Sequence, residues 1–191
     1  GKRVWSCIKV SAGCANCYAS ALNKRWHESE FTAAYHAGNT VVLGDAELHS
    51  MRTRVLLPRR GTSRPMVFLG DMTDVFGEWV PNTMLDLIFA AMALRPDVDF
   101  QILTKRPENI ARLLEDAGES KLPDNVWLGA TMEDHRVRDR IKLLREIPAK
   151  IRFLSVEPMT AEPGELDLTG IHWVIGGGES GPHARPLKLA W

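Results

Sequence analysis

The chain has 191 residues, and its 24 lysines and arginines balance 24 aspartates and glutamates, so the formal net charge is zero. This composition predicts one globular domain over residues 1–191 and argues against binding to nucleic acid through overall positive charge. There is no apolar run long enough to cross a bilayer, so we expect no membrane association. Three cysteines are too few for a disulfide framework, which favours the cytoplasm.

Strand-length segments rich in apolar residues recur along the chain. Two are predicted upstream, at Lys2–Trp5 and Thr40–Gly44. The others lie at Met66–Gly70, Phe100–Thr104, Val126–Ala130, Ile151–Val156 and Trp173–Gly177. They are apolar on successive residues, which is typical of strands that are buried on both faces of a sheet.

Helical patterns separate these strands, at residues 15–26, 81–94, 106–118 and 132–147. Pro107 and Gly118 suit the start and the end of the third helix. The spacing between successive strands leaves room for parallel crossovers. The sequence therefore predicts an α/β fold of parallel β/α repeats, forming a partial, open TIM-like barrel of about six or seven strands.

Polar residues follow the predicted strands at their carboxyl ends. They include Asp71, Asp74, Lys105, Glu133, Glu157 and Glu179. Because the carboxyl ends of parallel strands converge on one face, these side chains predict a built cavity there. Taken singly, Asp74 or Glu133 would also serve as a helix N-cap.

Each group of strand-end residues suggests a chemical role. Asp71 and Asp74 suit ribose hydroxyls or a substrate amine, and Lys105 with Arg106 suits a phosphate or a carboxylate at the mouth of the cavity. Glu157 precedes Pro158, which favours an extended conformation that directs this carboxylate off the strand end as an acid or base.

A glycine run follows the last predicted strand. Gly176, Gly177 and Gly178 would let the backbone approach a ligand closely, and Glu179 would then accept a hydrogen bond from its ammonium or hydroxyl group. A tight turn between strand and loop is the alternative interpretation of the run.

All three cysteines lie within eleven residues, as Cys7, Cys14 and Cys17. Cys14 and Cys17 can turn both sulfurs toward one metal ion, and the six residues between Cys7 and Cys14 can bring the Cys7 sulfur back to the same ion. Structural zinc would need a fourth ligand such as a histidine, a redox pair would leave Cys7 unused, and unconnected buried thiols remain an alternative. Three thiolates on an iron–sulfur cluster would leave one iron open, which favours that interpretation.

A basic strip, the acid-free stretch 48–70, carries five arginines. They are Arg52, Arg54, Arg59, Arg60 and Arg64. Such a strip can hold phosphates on a neutral protein, although a solvated loop balanced by acids elsewhere in the fold would look the same. The strip predicts contact with a nucleotide or a nucleic acid.

Several motifs together resemble the three-cysteine-motif proteins of phages and bacteria, a domain family of unknown function. They are "SCIKVSAGCANCYA", "FLGDMTDVF", "FQILTKRPE", "NVWLGATMED", "RFLSVEP" and "WVIGGGESGPHARP". The resemblance covers nearly the whole chain, with gaps around Thr32–Arg64. Members of that family usually continue beyond the position that corresponds to Trp191, so the resemblance implies a further C-terminal element. A phage gene would place the protein in the cytoplasm of a bacterial host.

That family resembles the radical S-adenosylmethionine enzymes, in which three thiolates hold a [4Fe–4S] cluster in a partial β/α barrel. The resemblance implies cofactor contacts at Tyr18, Asp71, Asp74, Gly176–Gly178 and Glu179, and reductive cleavage of the cofactor to a radical that abstracts hydrogen from a substrate. The first cysteine gap is six residues here and three in typical members. The alternative is a non-catalytic module, with zinc or a structural cluster, that binds a host protein or nucleic acid.

Overall fold

A computed structural model describes residues 6–39, 41, 43–58, 61–116, 118 and 120–191. The strand predicted at Lys2–Trp5 lies outside these residues. Within them, there is no helix that combines the length and the apolar character needed to cross a membrane.

The described chain forms six helices and five strands. The helices are α1 (Tyr18–His27), α2 (Ala33–Ala37), α3 (Asp45–Thr53), α4 (Asn82–Ala93), α5 (Ile110–Asp116) and α6 (Asp139–Glu146). The strands are β1 (Met66–Leu69), β2 (Asp99–Thr104), β3 (Val126–Thr131), β4 (Ile151–Val156) and β5 (Trp173–Gly176). Short 3₁₀ turns at Ala12–Cys14, Pro107–Asn109 and His135–Val137 complete the set.

The five strands form one parallel sheet in the order β1-β2-β3-β4-β5. Each strand thus pairs with the next one along the chain, with Phe100 of β2 opposite Val67 and Val126. Among the described residues the sheet does not close on itself, because β1 and β5 are its two edges. The predicted parallel α/β fold is confirmed in this coarser form, with five strands.

Helices cover one face of this sheet. Alternate residues of each strand point to the same face, and Phe100, Ile102 and Leu128 are all buried in one core. The same core contains Leu85 and Ile110, from α4 and α5. A neighbouring cluster joins Ile141 of α6 to Leu154 and Val156 of β4. Helices α4, α5 and α6 therefore share one side.

The opposite face of the sheet carries aromatic rings and a glycine. Phe153 lies opposite Gly129 in the register, and a Cβ atom on Gly129 would come within 2.3 Å of the Phe153 ring. The Trp173 ring packs against Phe153, with centroids 5.5 Å apart, and its edge meets Trp127. Gly129 therefore makes the space that this ring cluster occupies.

The predicted strand at Thr40–Gly44 is not found among its described residues. Val41, Leu43 and Gly44 lie outside the sheet, while Thr40 and Val42 are not described. Val41 is buried, and Leu43 packs against the main core. Packing of a loop thus explains an apolar pattern that the sequence assigned to a strand.

Candidate functional site

Two adjoining cavities open at the carboxyl edge of the sheet. The thiol cavity has a volume of about 160 Å³ and the strand-end cavity about 310 Å³. Both are lined by Gly13, Cys17, Tyr18, Phe68, Leu103, Lys105 and Thr131. Phe68, Leu103 and Thr131 come from three consecutive strands, on the face away from the helices. The sheet therefore forms one wall of both cavities.

All three cysteines line the thiol cavity. They form no disulfide, and Cys14 is buried while the other two are partly buried. Cys7 and Cys17 also pack against a small cluster of Ala19, Phe31 and Met72. Burial, followed by the negative charge of Asp74, raises the pKa of Cys7 to about 11, so its thiol is protonated at neutral pH.

The thiols share this cavity without converging on one point. Across the part of the chain that the structure describes, no group of three histidine, cysteine, aspartate or glutamate side chains is arranged to hold a metal ion. The sulfur of Cys7 is 3.8 Å from the carbonyl oxygen of Ile8, and that of Cys14 is 4.0 Å from the Ser11 hydroxyl. A shared metal centre would require the thiols to turn toward it.

The segment 6–17, called the cysteine loop below, is tied to the end of β3 through Glu133. Ser11 Oγ donates to Glu133 Oε1 at 2.5 Å. Gly13 lies directly against the same side chain, since a Cβ atom there would be 2.4 Å from Glu133 Cγ. A glycine is needed at this position because any larger residue would displace either the loop or the carboxylate.

Glu133 connects three parts of the site. Its side chain is 1% exposed, and it accepts a 3.0 Å hydrogen bond from Arg140 of α6. Lys105 Nζ, at the end of β2, forms an ion pair with Glu133 Oε1 at 3.7 Å. The sequence suggested Glu133 as a helix N-cap. The residue that caps the 3₁₀ turn at His135–Val137 is instead Asp134, whose carboxylate accepts a hydrogen bond from the backbone amide of Arg136. Glu133 is among the polar residues predicted at the carboxyl ends of the strands, but its hydrogen bonds and ion pairs with Arg140, Lys105 and Ser11 depend on contacts that the sequence does not reveal.

Asp71 and Asp74 both line the thiol cavity, but their surroundings differ. Asp71 is exposed, and only its backbone oxygen accepts a described hydrogen bond, from Tyr18 Oη at 2.7 Å. Asp74 is buried, and its carboxylate accepts from Thr104 Oγ1 at 2.7 Å and from the Lys105 amide at 3.0 Å. Of the two carboxylates, Asp71 is open to a ligand.

Arg106 lies inside the protein rather than at the mouth. It is 2% exposed, and its guanidinium stacks over the Trp79 ring at 4.5 Å from the centroid. One nitrogen approaches Asp74 Oδ2 at 3.4 Å, and another donates to the carbonyl oxygen of Ile8 at 2.7 Å. Arg106 thus joins Asp74 to the cysteine loop and is not a free anion-binding group.

Tyr18 begins α1 and lines both cavities. Its side chain is 56% exposed, and its hydroxyl donates to the backbone oxygen of Asp71. Partial burial, with the nearby charge of Asp71, raises the pKa of Tyr18 to about 12. The hydroxyl therefore stays a hydrogen-bond donor at neutral pH, and one part of the ring remains open to a ligand.

Lys105 and Glu157 both line the strand-end cavity. The Lys105 side chain is 22% exposed, so its ammonium reaches the cavity while it pairs with Glu133. Glu157 is exposed just beyond β4. The structure thus brings a cation and a carboxylate to the same cavity, from the ends of two strands.

The glycine run is divided by the structure. Gly178 lines the strand-end cavity, whereas Gly176 and Gly177 line neither cavity. A Cβ atom on Gly177 would lie 3.0 Å from Glu157 Cδ, so this glycine makes room for that carboxylate. Gly176 ends β5 with open space around it. Only Gly178 is placed for backbone contact with a ligand in these cavities.

Glu179 fastens the loop after β5 to the cysteine loop. Its side chain is 4% exposed and accepts hydrogen bonds from Arg185 Nε at 2.8 Å and from Asn16 Nδ2 at 2.9 Å. Arg185 Nη2 also donates to the carbonyl oxygen of Ala12. The bonds from Arg185 lower the pKa of Glu179 to about 2. Arg185 lies in the quoted motif WVIGGGESGPHARP, but no role was predicted for it.

We expect Glu179→Gln to destabilise the fold in a pH-dependent way. A carboxyl group whose pKa falls from 4.5 to about 2 on folding stabilises the protein above pH 4.5. That contribution is lost as the pH falls from 4.5 toward 2. Because the bonds are to a charged group, urea unfolding at pH 7 should show a loss of about 1–3 kcal/mol for the variant.

The control for this substitution is Glu165→Gln, at an exposed carboxylate outside both cavities. It should change the free energy of unfolding at pH 7 by less than about 0.5 kcal/mol. If the difference in the free energy of unfolding between Glu179→Gln and the unsubstituted protein stays constant from pH 7 to pH 3, the assigned ion pair is contradicted.

Ten of the residues predicted from the sequence line the two cavities. They are Cys7, Cys14, Cys17, Tyr18, Asp71, Asp74, Lys105, Glu157, Gly178 and Glu179. Comparison of the chain with curated proteins and with solved structures returned no match. A family model, described as a protein of unknown function (DUF5131), matches residues 2–191. The chain therefore belongs to the DUF5131 family of proteins of unknown function.

Proposed function

We propose that the chain is an iron–sulfur protein of the radical S-adenosylmethionine type, with Cys7, Cys14 and Cys17 as the ligands of a [4Fe–4S] cluster. When bound and reduced, such a cluster would supply the one electron that splits S-adenosylmethionine into methionine and a deoxyadenosyl radical, which would abstract hydrogen from a substrate. The proposal depends on one observation: the three thiols line a single cavity at the carboxyl edge of a parallel sheet.

We further propose that this sheet is a segment of an open barrel, within one domain over residues 1–191. Sequential strand order with helices on one face is typical of β/α barrels. Doubly wound sheets reverse their strand order and carry helices on both faces. The cavities lie on the face without packed helices, which would be the interior of the barrel.

The donor set suits such a cluster, because three thiols and no fourth cysteine leave one iron open to a second ligand. Residues from several parts of the fold anchor the cysteine loop, among them Glu133, Arg106, Arg185 and Glu179. Anchoring of this kind holds the ligands near the cavity while their side chains turn to a common centre. Cys7 must lose its proton when it binds, since its pKa is raised in the metal-free chain.

The remaining cavity residues take separate roles in this proposal. Asp71 and the Tyr18 hydroxyl supply polar contacts to the cofactor beside the thiols, and Gly178 allows its close approach to the backbone. Lys105 and Glu157 face the strand-end cavity, where they can hold or move a proton on the substrate. Asp74 and Glu179 act indirectly, because their carboxylates are engaged within the protein.

Anaerobic purification tests the proposal directly. We expect brown protein that contains iron and sulfide near the ratio of a cluster, and that cleaves S-adenosylmethionine when a reductant is added. Zinc without colour would overturn the proposal and favour a non-catalytic binding module. A full cluster without cofactor cleavage would also overturn it, and would leave the cluster a structural role.

A further inference from the structure

A third cavity, which we call the basic cleft, lies between α1 and the loop at residues 180–183. Its volume is about 650 Å³. It shares Cys17 and Tyr18 with both the thiol cavity and the strand-end cavity. A ligand in the basic cleft would therefore border the candidate site without occupying it.

Among the described residues, the lining of the basic cleft includes three lysine or arginine side chains and a single acidic one. The cations are Lys9, Lys24 and Arg25, and the acid is Glu30. Lys24 Nζ forms an ion pair with Glu30 Oε1 at 2.9 Å. Lys24, and less strongly Lys9, lower the pKa of Glu30, so both ammonium groups lie near this carboxylate. The cleft thus holds a surplus of two positive charges on a neutral protein.

These cations are accessible. Lys9 and Arg25 are exposed, and the Lys24 side chain is 65% exposed. Lys9 Nζ donates only a long 3.4 Å bond to the carbonyl oxygen of Ala15, and within the described ranges Arg25 forms no ion pair. Exposed ammonium and guanidinium groups that converge on a concave surface are suited to phosphate oxygens.

The Arg52–Arg64 strip is less suited to this role. Arg64 forms an ion pair with Asp99 at 3.1 Å and a bond to the carbonyl oxygen of Val98. Arg59 and Arg60 are not described, while Arg52 and Arg54 are exposed but line none of the three cavities. Of the described cations in these two groups, only those of the basic cleft line a cavity that also includes Cys17.

We propose that the basic cleft binds the phosphate groups of the substrate, a nucleotide or a single nucleic-acid strand, and so presents its sugar and base to the thiol cavity. The inference rests on the proposed function, because it names the substrate class of that site. The exposed ring of Tyr18, at the boundary of all three cavities, offers a surface on which a base can stack.

Fluorescence anisotropy tests the inference, with a labelled ATP analogue and a labelled single-stranded DNA of about 12 nucleotides, a length that suits single-strand sites. We expect one of these probes to bind. Lys24→Gln and Arg25→Gln should each weaken its binding about tenfold. Glu30→Gln should strengthen binding several-fold, because it removes the one acidic side chain among the described residues that line the cleft. Changes in opposite directions are the signature of an electrostatic site.

Lys150→Gln is the matched control, because this exposed lysine directly precedes β4 and so lies at the amino ends of the strands, opposite the cavities. The Lys150→Gln variant should bind the probe with the same affinity as the unsubstituted protein. If DNA is the ligand, the salt dependence of its binding should fall by about 0.7 in log–log slope for each lost cation. A preference for the ATP analogue, with inorganic phosphate as a competitor, would assign the cleft to a nucleotide.

The inference is overturned if neither probe binds, or if Lys24→Gln and Arg25→Gln leave binding unchanged. Binding is measured on the protein as purified and needs neither cluster nor cofactor cleavage. A protein that cleaves S-adenosylmethionine but binds neither probe would refute the inference alone. A protein that binds a probe through the cleft but holds no cluster would refute the proposed function alone.

Discussion

Replacement of any one of the three cysteines with serine should reduce the iron and sulfide of anaerobically purified protein to background. The chain has no fourth cysteine that could substitute for the lost ligand. Serine keeps the size of the side chain, and of the three cysteines Cys14 alone is buried, the other two being partly exposed. The variants should therefore fold, and circular dichroism and urea unfolding would separate ligand loss from fold loss. Colour and metal analysis provide the readout.

His183→Ala is the control for the cysteine variants. This residue lies beside the cysteine loop, because its carbonyl oxygen accepts a hydrogen bond from Asn16. A cluster held by three thiolates should keep its iron in this variant. Closed tetrahedral zinc with a histidine as the fourth ligand would instead lose metal. A cysteine variant that retains full iron content would refute the assigned ligand set.

Much of the sheet could be predicted from the sequence because its strands are short, apolar and regularly spaced. Phe100–Thr104 and Ile151–Val156 differ from the observed strands by at most one residue at either end. The edge strand β5 is less buried than the sequence predicts for these strands, since Trp173 and Val174 are 41% and 40% exposed. A strand at the edge of a sheet has a neighbour on one side only, and a single segment does not reveal its place in the order.

The position of the candidate site could also be predicted, because chain direction alone brings the carboxyl ends of parallel strands together. The burial and the hydrogen-bond partners of each side chain could not be predicted. Asp71 and Asp74 look equivalent in the sequence, yet Asp71 is exposed, whereas Asp74 is buried and accepts bonds from Thr104 and Arg106. Such partners lie about 30 residues away along the chain and depend on how β1 and β2 pair.

Asp74→Ala should destabilise the protein by about 3–5 kcal/mol, because it removes the buried carboxylate that faces the Arg106 guanidinium and leaves this cation with the mostly exposed Glu78, at 3.4 Å. It also removes acceptors from the Thr104 hydroxyl and from the amide groups of Phe76 and Lys105. Asp74→Asn keeps a carbonyl oxygen as an acceptor and should cost about 1–3 kcal/mol. Urea unfolding of the metal-free protein measures both effects.

Asp71→Asn is the matched substitution, three residues away in the same loop. Its exposed carboxylate accepts no described hydrogen bond, so the free energy of unfolding should change by less than about 0.5 kcal/mol. Under the proposed function, this variant should weaken the binding of S-adenosylmethionine instead. Equal destabilisation by Asp71→Asn and Asp74→Asn would contradict the different roles assigned to the two carboxylates.

The effect of Asp74→Ala should extend to the cluster, since Arg106 joins Asp74 to the carbonyl oxygen of Ile8, next to Cys7. Loss of iron in this variant would follow from loosening of the cysteine loop and not from loss of a ligand. A stabilising osmolyte such as sucrose favours the folded state. It should therefore restore iron to Asp74→Ala, whereas Cys7→Ser should stay empty at any sucrose concentration.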